Sequence, residues 1–220
     1  MLNIMAKDRK TIVVADLSYG DSGKGGLVDF LTRSYGAHTV VRYNGGAQAA
    51  HNVVSPDGRH HTFAQFGSGT FVSGTRTHLS RFMMVNPFSI FPEERHLREL
   101  GIQNAFELLT VDQEALITTP FQVAANRLKE IARDANRHGS CGMGIGETMS
   151  DHLTHGSRVL FARDFSSRKA MLAKLRFLRE LKLGEIEPLV SSLPNTDQAK
   201  AELAVLSDPK MDEVCVNAYE

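Results

Sequence analysis

The sequence is short of several features, and each shortage excludes a class of protein. Its 220 residues hold two cysteines, Cys141 and Cys215, with no C-x-x-C pair. That excludes a disulfide framework and a thiolate zinc site, and it points to a reducing compartment. Twenty-five basic side chains meet 25 acidic ones, for a formal net charge of +0 and a pI near 7.1. No electrostatic footprint for a nucleic acid or an acidic membrane follows from such a balance. No apolar stretch is long enough to span a bilayer, the N-terminus lacks a charged-then-apolar leader pattern, and no internal repeat or low-complexity segment occurs. The expectation is a cytoplasmic protein with no nucleic acid and no membrane among its partners, and with enough residues to bury a core.

What the chain does have is a glycine-rich stretch, Ser18-Tyr19-Gly20-Asp21-Ser22-Gly23-Lys24-Gly25-Gly26. Before it, Thr11-Ile12-Val13-Val14-Ala15 is β-branched and apolar, and predicts a buried strand. After it, Leu27, Phe30 and Leu31 fall on one face of a helix. A glycine turn between strand and helix lets backbone N–H groups and the helix dipole meet an anion, and Lys24 adds a full charge. The reading is a phosphate-binding loop, with a ligand-free glycine turn as the alternative. The stretch is not a Walker A loop, because Ser18 and Gly25 stand where that pattern needs glycine and Ser or Thr, and it is not G-x-G-x-x-G either. Asp21 is an acid where an empty anion site would not want one. It serves either as a helix N-cap or as a group that holds a metal or moves a proton.

These residues resemble the adenylosuccinate synthetase family, whose loop reads W-G-D-E-G-K-G-K before a V-D-L-L helix, matched here by Tyr19 to Gly26 and Val28-Asp29-Phe30-Leu31. A second match runs from Val41 through Arg42-Tyr43-Asn44-Gly45-Gly46-Ala47-Gln48-Ala49-Ala50-His51 to Asn52, against V-R-Y-Q-G-G-H-N-A-G-H-T. The third is Gly139-Ser140-Cys141-Gly142-Met143-Gly144-Ile145-Gly146, against G-T-T-G-R-G-I-G-P. The family joins L-aspartate to C6 of inosine monophosphate and uses GTP to make the C6 oxygen a phosphate leaving group.

By resemblance, Asp21 is the base that takes the purine N1 proton and is also a magnesium ligand. The carbonyl of Ala50 is the second protein ligand, and His51 donates to the oxygen between the β and γ phosphates. Gly20, Asp21, Ser22, Gly23, Lys24, Gly25 and Gly26, with Ala50, His51 and Asn52, would hold GTP. Asp21, Ser22, Gly23, Lys24, Gln48, Ala49, Ala50, His51, Ser140 and Cys141 would meet the substrate. His155 falls near the position of an arginine that reaches the nucleotide from a second subunit, so the resemblance implies a homodimer. Taken alone, His51 reads as a satisfied loop histidine and Cys141 as a small buried residue. Ser22, Gly26, Ala47, Gln48, Ala50 and Met143 depart from the pattern, which leaves room for a modified purine or another amine donor. A nucleotide-binding regulatory module without the reaction is the reading from another class.

The rest of the chain predicts an α/β fold, with a mostly parallel central sheet and flanking helices. His38 to Tyr43 reads as a second strand joined to the first through the helix. A hairpin turns at Ser55-Pro56-Asp57-Gly58, with His60 and His61 structural or solvent-facing on opposite faces. Leu79 to Val85 is a buried strand, Asn86-Pro87 a break, and a helix starts near Pro92 and ends before Gly101. Thr119-Pro120-Phe121-Gln122 forms a capping box for a helix with Val123, Leu128, Ile131 and Ala135 as its stripe, stopped at Gly139. From Asp164 a helix carries Leu172, Leu175, Leu178 and Leu181 among basic residues that read as a solvated face, and shorter helices follow near Thr196–Leu206 and Met211–Tyr219. The division expected is a nucleotide-binding domain over 1–163 and a helical segment over 164–220 that continues it. The resemblance thins beyond residue 165 or so, while family members run well past residue 220. The chain therefore reads as an N-terminal part of a longer protein, or else as a shortened relative.

Overall fold

The structure is a computed structural model that describes residues 10–17, 20, 22–136 and 138–220. The helix after the glycine loop is α1, Lys24–Tyr35. Strand β1, Thr39–Gly46, follows it, and a hairpin is made by β2, His51–Val54, and β3, His60–Phe63. Then come β4, Arg76–Val85, α2, Pro87–Glu99, β5, Leu109–Val111, and β6, Leu116–Ile117. The remainder is helical: α3, Pro120–Arg133, α4, Ile145–His155, α5, Arg168–Ile186, α6, Asp197–Ser207, and α7, Met211–Tyr219.

The α/β class and the parallel sheet are present. In the sheet β4 is central and pairs in parallel with β1 on one side and with β5 and then β6 on the other. The register of β1 on β4 slips between Arg42 and Asn44, so that Ser80 and Arg81 stand opposite Tyr43, where the Ser80 hydroxyl donates to the Tyr43 carbonyl. Such a bulge re-aims the strand at the edge that carries the second glycine pair. A single apolar core takes in Leu79 and Met83 of the sheet, Ile90 and Leu97 of α2, Phe121 and Leu128 of α3, and Leu175, Leu178 and Val216 of the helical segment.

Several expectations are corrected. Thr11 to Ala15 is not a strand: residues 10–17 join no ladder, and Val13 is 83% exposed. β-Branched residues favour a strand only where a neighbour offers pairing and burial, and β1 takes β4 as its parallel partner instead. Leu27 and Phe30 do lie on the outer face of α1, but that face is solvent-exposed, while Gly25, Asp29 and Thr32 are buried. Close approach is the reason, since a Cβ built on Gly69 would stand 2.7 Å from the Thr32 side chain and 2.9 Å from Val40. The third helix boundary shifts as well: α2 begins at Pro87, with the Asn86 side chain accepting from Phe88 N, and Pro92 lies inside it. Asn86-Pro87 is therefore a cap followed by proline at the first helical position, not a break.

A further correction concerns the basic face of α5, which is not solvated throughout. Lys182 is 1% exposed and paired with Asp151, Glu147 and Glu185, and Arg179 is buried against Asp212. The capping box at Thr119 and Gln122 forms as expected, and Gly101 follows the end of α2. The α3 helix itself ends at Arg133, well before Gly139. Strand β3 sends His60 outward and His61 inward, where His61 meets Phe63, Phe71 and His96.

Candidate functional site

Helix α1 opens on Gly23, which has a left-handed φ of 79° and no side chain with which to occupy the first-turn N–H groups. Glycine is suited to that conformation, and the exposed helix start is the kind of place where an anion binds. From the first turn, Lys24 reaches back to bond the Gly20 carbonyl at 3.1 Å and pairs with the Asp16 carboxylate. The second loop meets this turn directly. A Cβ built on Gly25 would stand 2.9 Å from both the carbonyl carbon and the Cβ of His51. Only glycine lets α1 lie that close to β2.

A cleft of about 520 Å³ opens beside this junction, lined by Asp16, Lys24, Arg42, Gly46, Gln48 and His51, with Ala49 next to them. The half-buried His51 has its pKa pushed down to about 4 by burial first, then by the charges of Arg42 and Lys24. Its ring is therefore neutral at pH 7, with one nitrogen able to donate and the other to accept. Arg42 is buried, donates to the carbonyls of Ala64 (2.8 Å) and Phe66 (3.5 Å), and has its pKa lowered by burial against the opposing charge of Glu93. Glu93 in turn accepts from the N–H groups of Ala64, Gln65 and Phe66.

The third motif reaches the second through glycine too. A Cβ on Gly46 would lie 2.4 Å from Cδ1 of Ile145 and 2.7 Å from the Met84 carbonyl oxygen, so the first residue of α4 rests on the end of β1. Ser140 and Cys141 are exposed on the loop before α4, where Asn126 donates to the Ser140 hydroxyl at 3.0 Å.

Of the residues expected at the site, Lys24, Gln48, Ala49 and His51 line the cleft, and Gly20, Ser22, Gly23, Gly25 and Gly26 make the turn and the helix start beside it. Ala50 and Asn52 flank His51 on the exposed side, where the Asn52 side chain accepts from Thr62 at 2.5 Å. Ser140 and Cys141 do not line the cleft. His155 closes the far end of α4, about 15 Å from Ile145 at 1.5 Å per residue, and packs edge-on against Phe177. Asp21 lies outside the described residues, as do Ser18 and Tyr19. Sequence reasoning passed over Asp16 and gave Arg42 no role. An acid ending a β-branched run just before a glycine loop was the available signal for the first.

A parallel α/β sheet, with a glycine turn that opens a helix into a cleft at its edge, defines the class of protein. The adenylosuccinate synthetase family model matches residues 13–214, and the chain belongs to that family. Adenylosuccinate synthetase 1 of Burkholderia lata is 29% identical over 167 residues, which cover 76% of this chain and 36% of that protein. The enzyme of Burkholderia pseudomallei matches to the same extent. The chain thus spans about a third of the length of these relatives. Among solved structures, the fully ligated adenylosuccinate synthetase of Plasmodium falciparum superposes with a TM-score of 0.67 at 17% identity, over 90% of this chain and 44% of that one. The succinoaminodeoxyadenylate synthetase (PurZ) of cyanophage S-2L, bound to dGMP and dATP as an energy donor, gives 0.53 at 18% identity, over 66% and 39%.

Proposed function

We propose that the cleft is part of the site of a GTP-dependent ligase that joins L-aspartate to inosine monophosphate in purine nucleotide synthesis. The observation that supports this is the contact of Gly25 with His51, which puts the Lys24 turn and the neutral His51 on one cleft. The start of α1 and Lys24 suit the phosphates of GTP, with Lys24 exchanging Asp16 for a phosphate oxygen. His51, uncharged at pH 7, suits donation of a hydrogen bond to a bridging phosphate oxygen as negative charge grows there. Asp21 is assigned the purine proton.

Asp16 lines the cleft with a carboxylate, the hard oxygen donor that magnesium takes, and the Ala50 carbonyl lies one residue from His51. Among the described residues no three His, Cys, Asp or Glu side chains group as a metal cage. Magnesium is commonly held by one or two carboxylates plus substrate phosphates, so Asp21, Asp16 and Ala50 would be its protein partners, and the ion would neutralise phosphate charge. Ser140 and Cys141 are assigned to the phosphate of the monophosphate substrate. His155, at the far end of α4 from that loop, is assigned a place at a homodimer contact, as the resemblance implies.

Among the described residues no helix is long and apolar enough to cross a membrane, and a cytoplasmic site of action fits the cysteine usage. A second reading, a modified purine nucleotide as substrate, is favoured by the departures at Ser22 and Met143 from the family's loop patterns. The test is calorimetry with GTP, inosine monophosphate and magnesium, followed by aspartate-dependent phosphate release. Binding without release in a protein that spans the relatives' full length would favour a regulatory module, and absence of GTP binding would end the proposal.

A further inference from the structure

We infer that Asn126 is a positioning residue for the loop from Gly139 to Gly144, and that it acts through Ser140. The inference rests on the reading of that loop as the contact for the monophosphate. The Asn126 side chain spans the loop: Nδ2 donates to Ser140 Oγ at 3.0 Å and Oδ1 accepts from Gly144 N–H at 3.2 Å. Its neighbours on α3 hold points in between. Arg127 Nε donates to the Gly142 carbonyl at 3.0 Å, and Glu130 Oε2 accepts from Gly139 N–H at 3.1 Å and from Ser140 N–H at 3.4 Å. Residues 126 and 130 are four apart and so share a helix face. The opposite side of α3 is rooted in the core by Phe121, Ala125 and Leu128.

The loop needs such a template. Gly139, Gly142 and Gly144 take φ of 71°, 66° and 72°, and three glycines in six residues give a backbone with much freedom to lose. Gly144 is also pressed on α3, since a Cβ there would stand 2.9 Å from Val123 N. The sense of the Asn126 bond matters chemically. Because Ser140 Oγ accepts from Asn126, its own hydrogen remains to be donated to an anion in front of the loop. Asn126 thereby sets both the place of Ser140 and the direction of its proton, without touching the ligand.

The test uses the whole chain and two ligands. Asn126→Ala is expected to weaken inosine monophosphate binding about tenfold in calorimetry while GTP affinity and melting temperature stay at wild-type values. Ser140→Ala should weaken the monophosphate similarly, and the double variant should be no worse than twofold beyond either single change, since groups acting as one unit are not additive. Amide exchange at Gly144 should accelerate in Asn126→Ala with no nucleotide present. Wild-type monophosphate affinity in Asn126→Ala overturns the inference, as do multiplicative losses in the double variant or a parallel loss of GTP binding and melting temperature. Should the wild-type chain not bind the monophosphate, the reading of the loop falls, and unchanged Gly144 exchange would then overturn the clamp as well.

Discussion

Gly25 lies against His51 so closely that a Cβ built on it would be 2.9 Å from two of that residue's atoms and 3.0 Å from the Asn52 carbonyl oxygen. Two of the three obstructing atoms are backbone and the third is a Cβ, so no rotamer change relieves the clash. Gly25→Ala must push α1 away from β2, at a cost of about 1–3 kcal/mol for overpacking. Gly26, one residue on, has nothing within 4 Å of its built Cβ. Gly26→Ala should stabilise the helix by about 0.5–1 kcal/mol. Opposite shifts in denaturation midpoint for two adjacent Gly→Ala changes would verify the contact.

Lys24 carries the full positive charge at the start of α1. A charge-assisted bond to phosphate contributes about 1.5–3 kcal/mol, so Lys24→Ala should weaken GTP binding tenfold or more by calorimetry. Unchanged GTP affinity would remove this loop from the phosphate site.

His51 gives the cleft a pH signature. Its folded pKa of about 4 lies below the ordinary 6.5 because burial, Arg42 and Lys24 all oppose a charge on the ring. As pH falls below 6.5 the unfolded chain takes up the proton before the folded one does. The stability this group contributes is therefore complete above about 6.5 and is lost between there and 4. His51→Gln, which does not titrate, should flatten that part of a melting-temperature profile. A profile identical to wild type would mean the ring is not held neutral.

The two cysteines should separate cleanly in reactivity. Cys215 is buried, and burial, then the Asp212 charge, push its thiol up to about 12. Cys141 is exposed on the loop before α4. An alkylating reagent at pH 8 should label Cys141 alone, read by mass spectrometry, and inosine monophosphate should slow that labelling if the thiol faces the ligand. Equal rates with and without nucleotide would take Cys141 out of the site.

Local chemistry was legible in the sequence wherever neighbouring residues decided it. The capping box at Thr119, the hairpin turn at Gly58 and the glycine start of α1 all follow from backbone preferences within a few residues. The fate of Thr11 to Ala15 did not follow, because strand formation depends on a partner elsewhere in the chain. Nor did the burial of Asp29 and Thr32 in place of Leu27 and Phe30, since helical spacing says which residues share a face and not which face meets a neighbour. Lys182 is the same lesson in charge. Its spacing on α5 matches that of a solvated lysine, and only the acids of α4 explain why it is buried.

That cluster yields the last expectation. Lys182 bonds Asp151, Glu147 and Glu185, and Lys129 shares Glu147 and Glu185 with it. Burial alone would lower the Lys182 pKa, but the hydrogen bonds it donates to Asp151 and Glu147 outweigh it and the pKa is raised. Burial likewise favours a protonated Glu147, but bonds from Lys129 and Lys182 hold its pKa below the usual carboxylate value. The contribution of Lys182 is present below its ordinary 10.5 and is lost as pH climbs through the raised value. The contribution of Glu147 is present above its ordinary 4.5 and is lost as pH falls through the lowered one. Stability from the cluster is thus a plateau across neutral pH. Lys182→Met leaves Asp151 buried with Gln122 Nε2 donating to it at 2.9 Å, and removing one partner of a buried pair costs about 3–5 kcal/mol. Adding Asp151→Leu removes the stranded charge, so the double variant should recover part of that loss in urea denaturation. If the double variant is less stable than Lys182→Met by the full cost of a second core change, the pair contributes more as a salt bridge than its desolvation costs, and charge rather than packing holds α4 to α5.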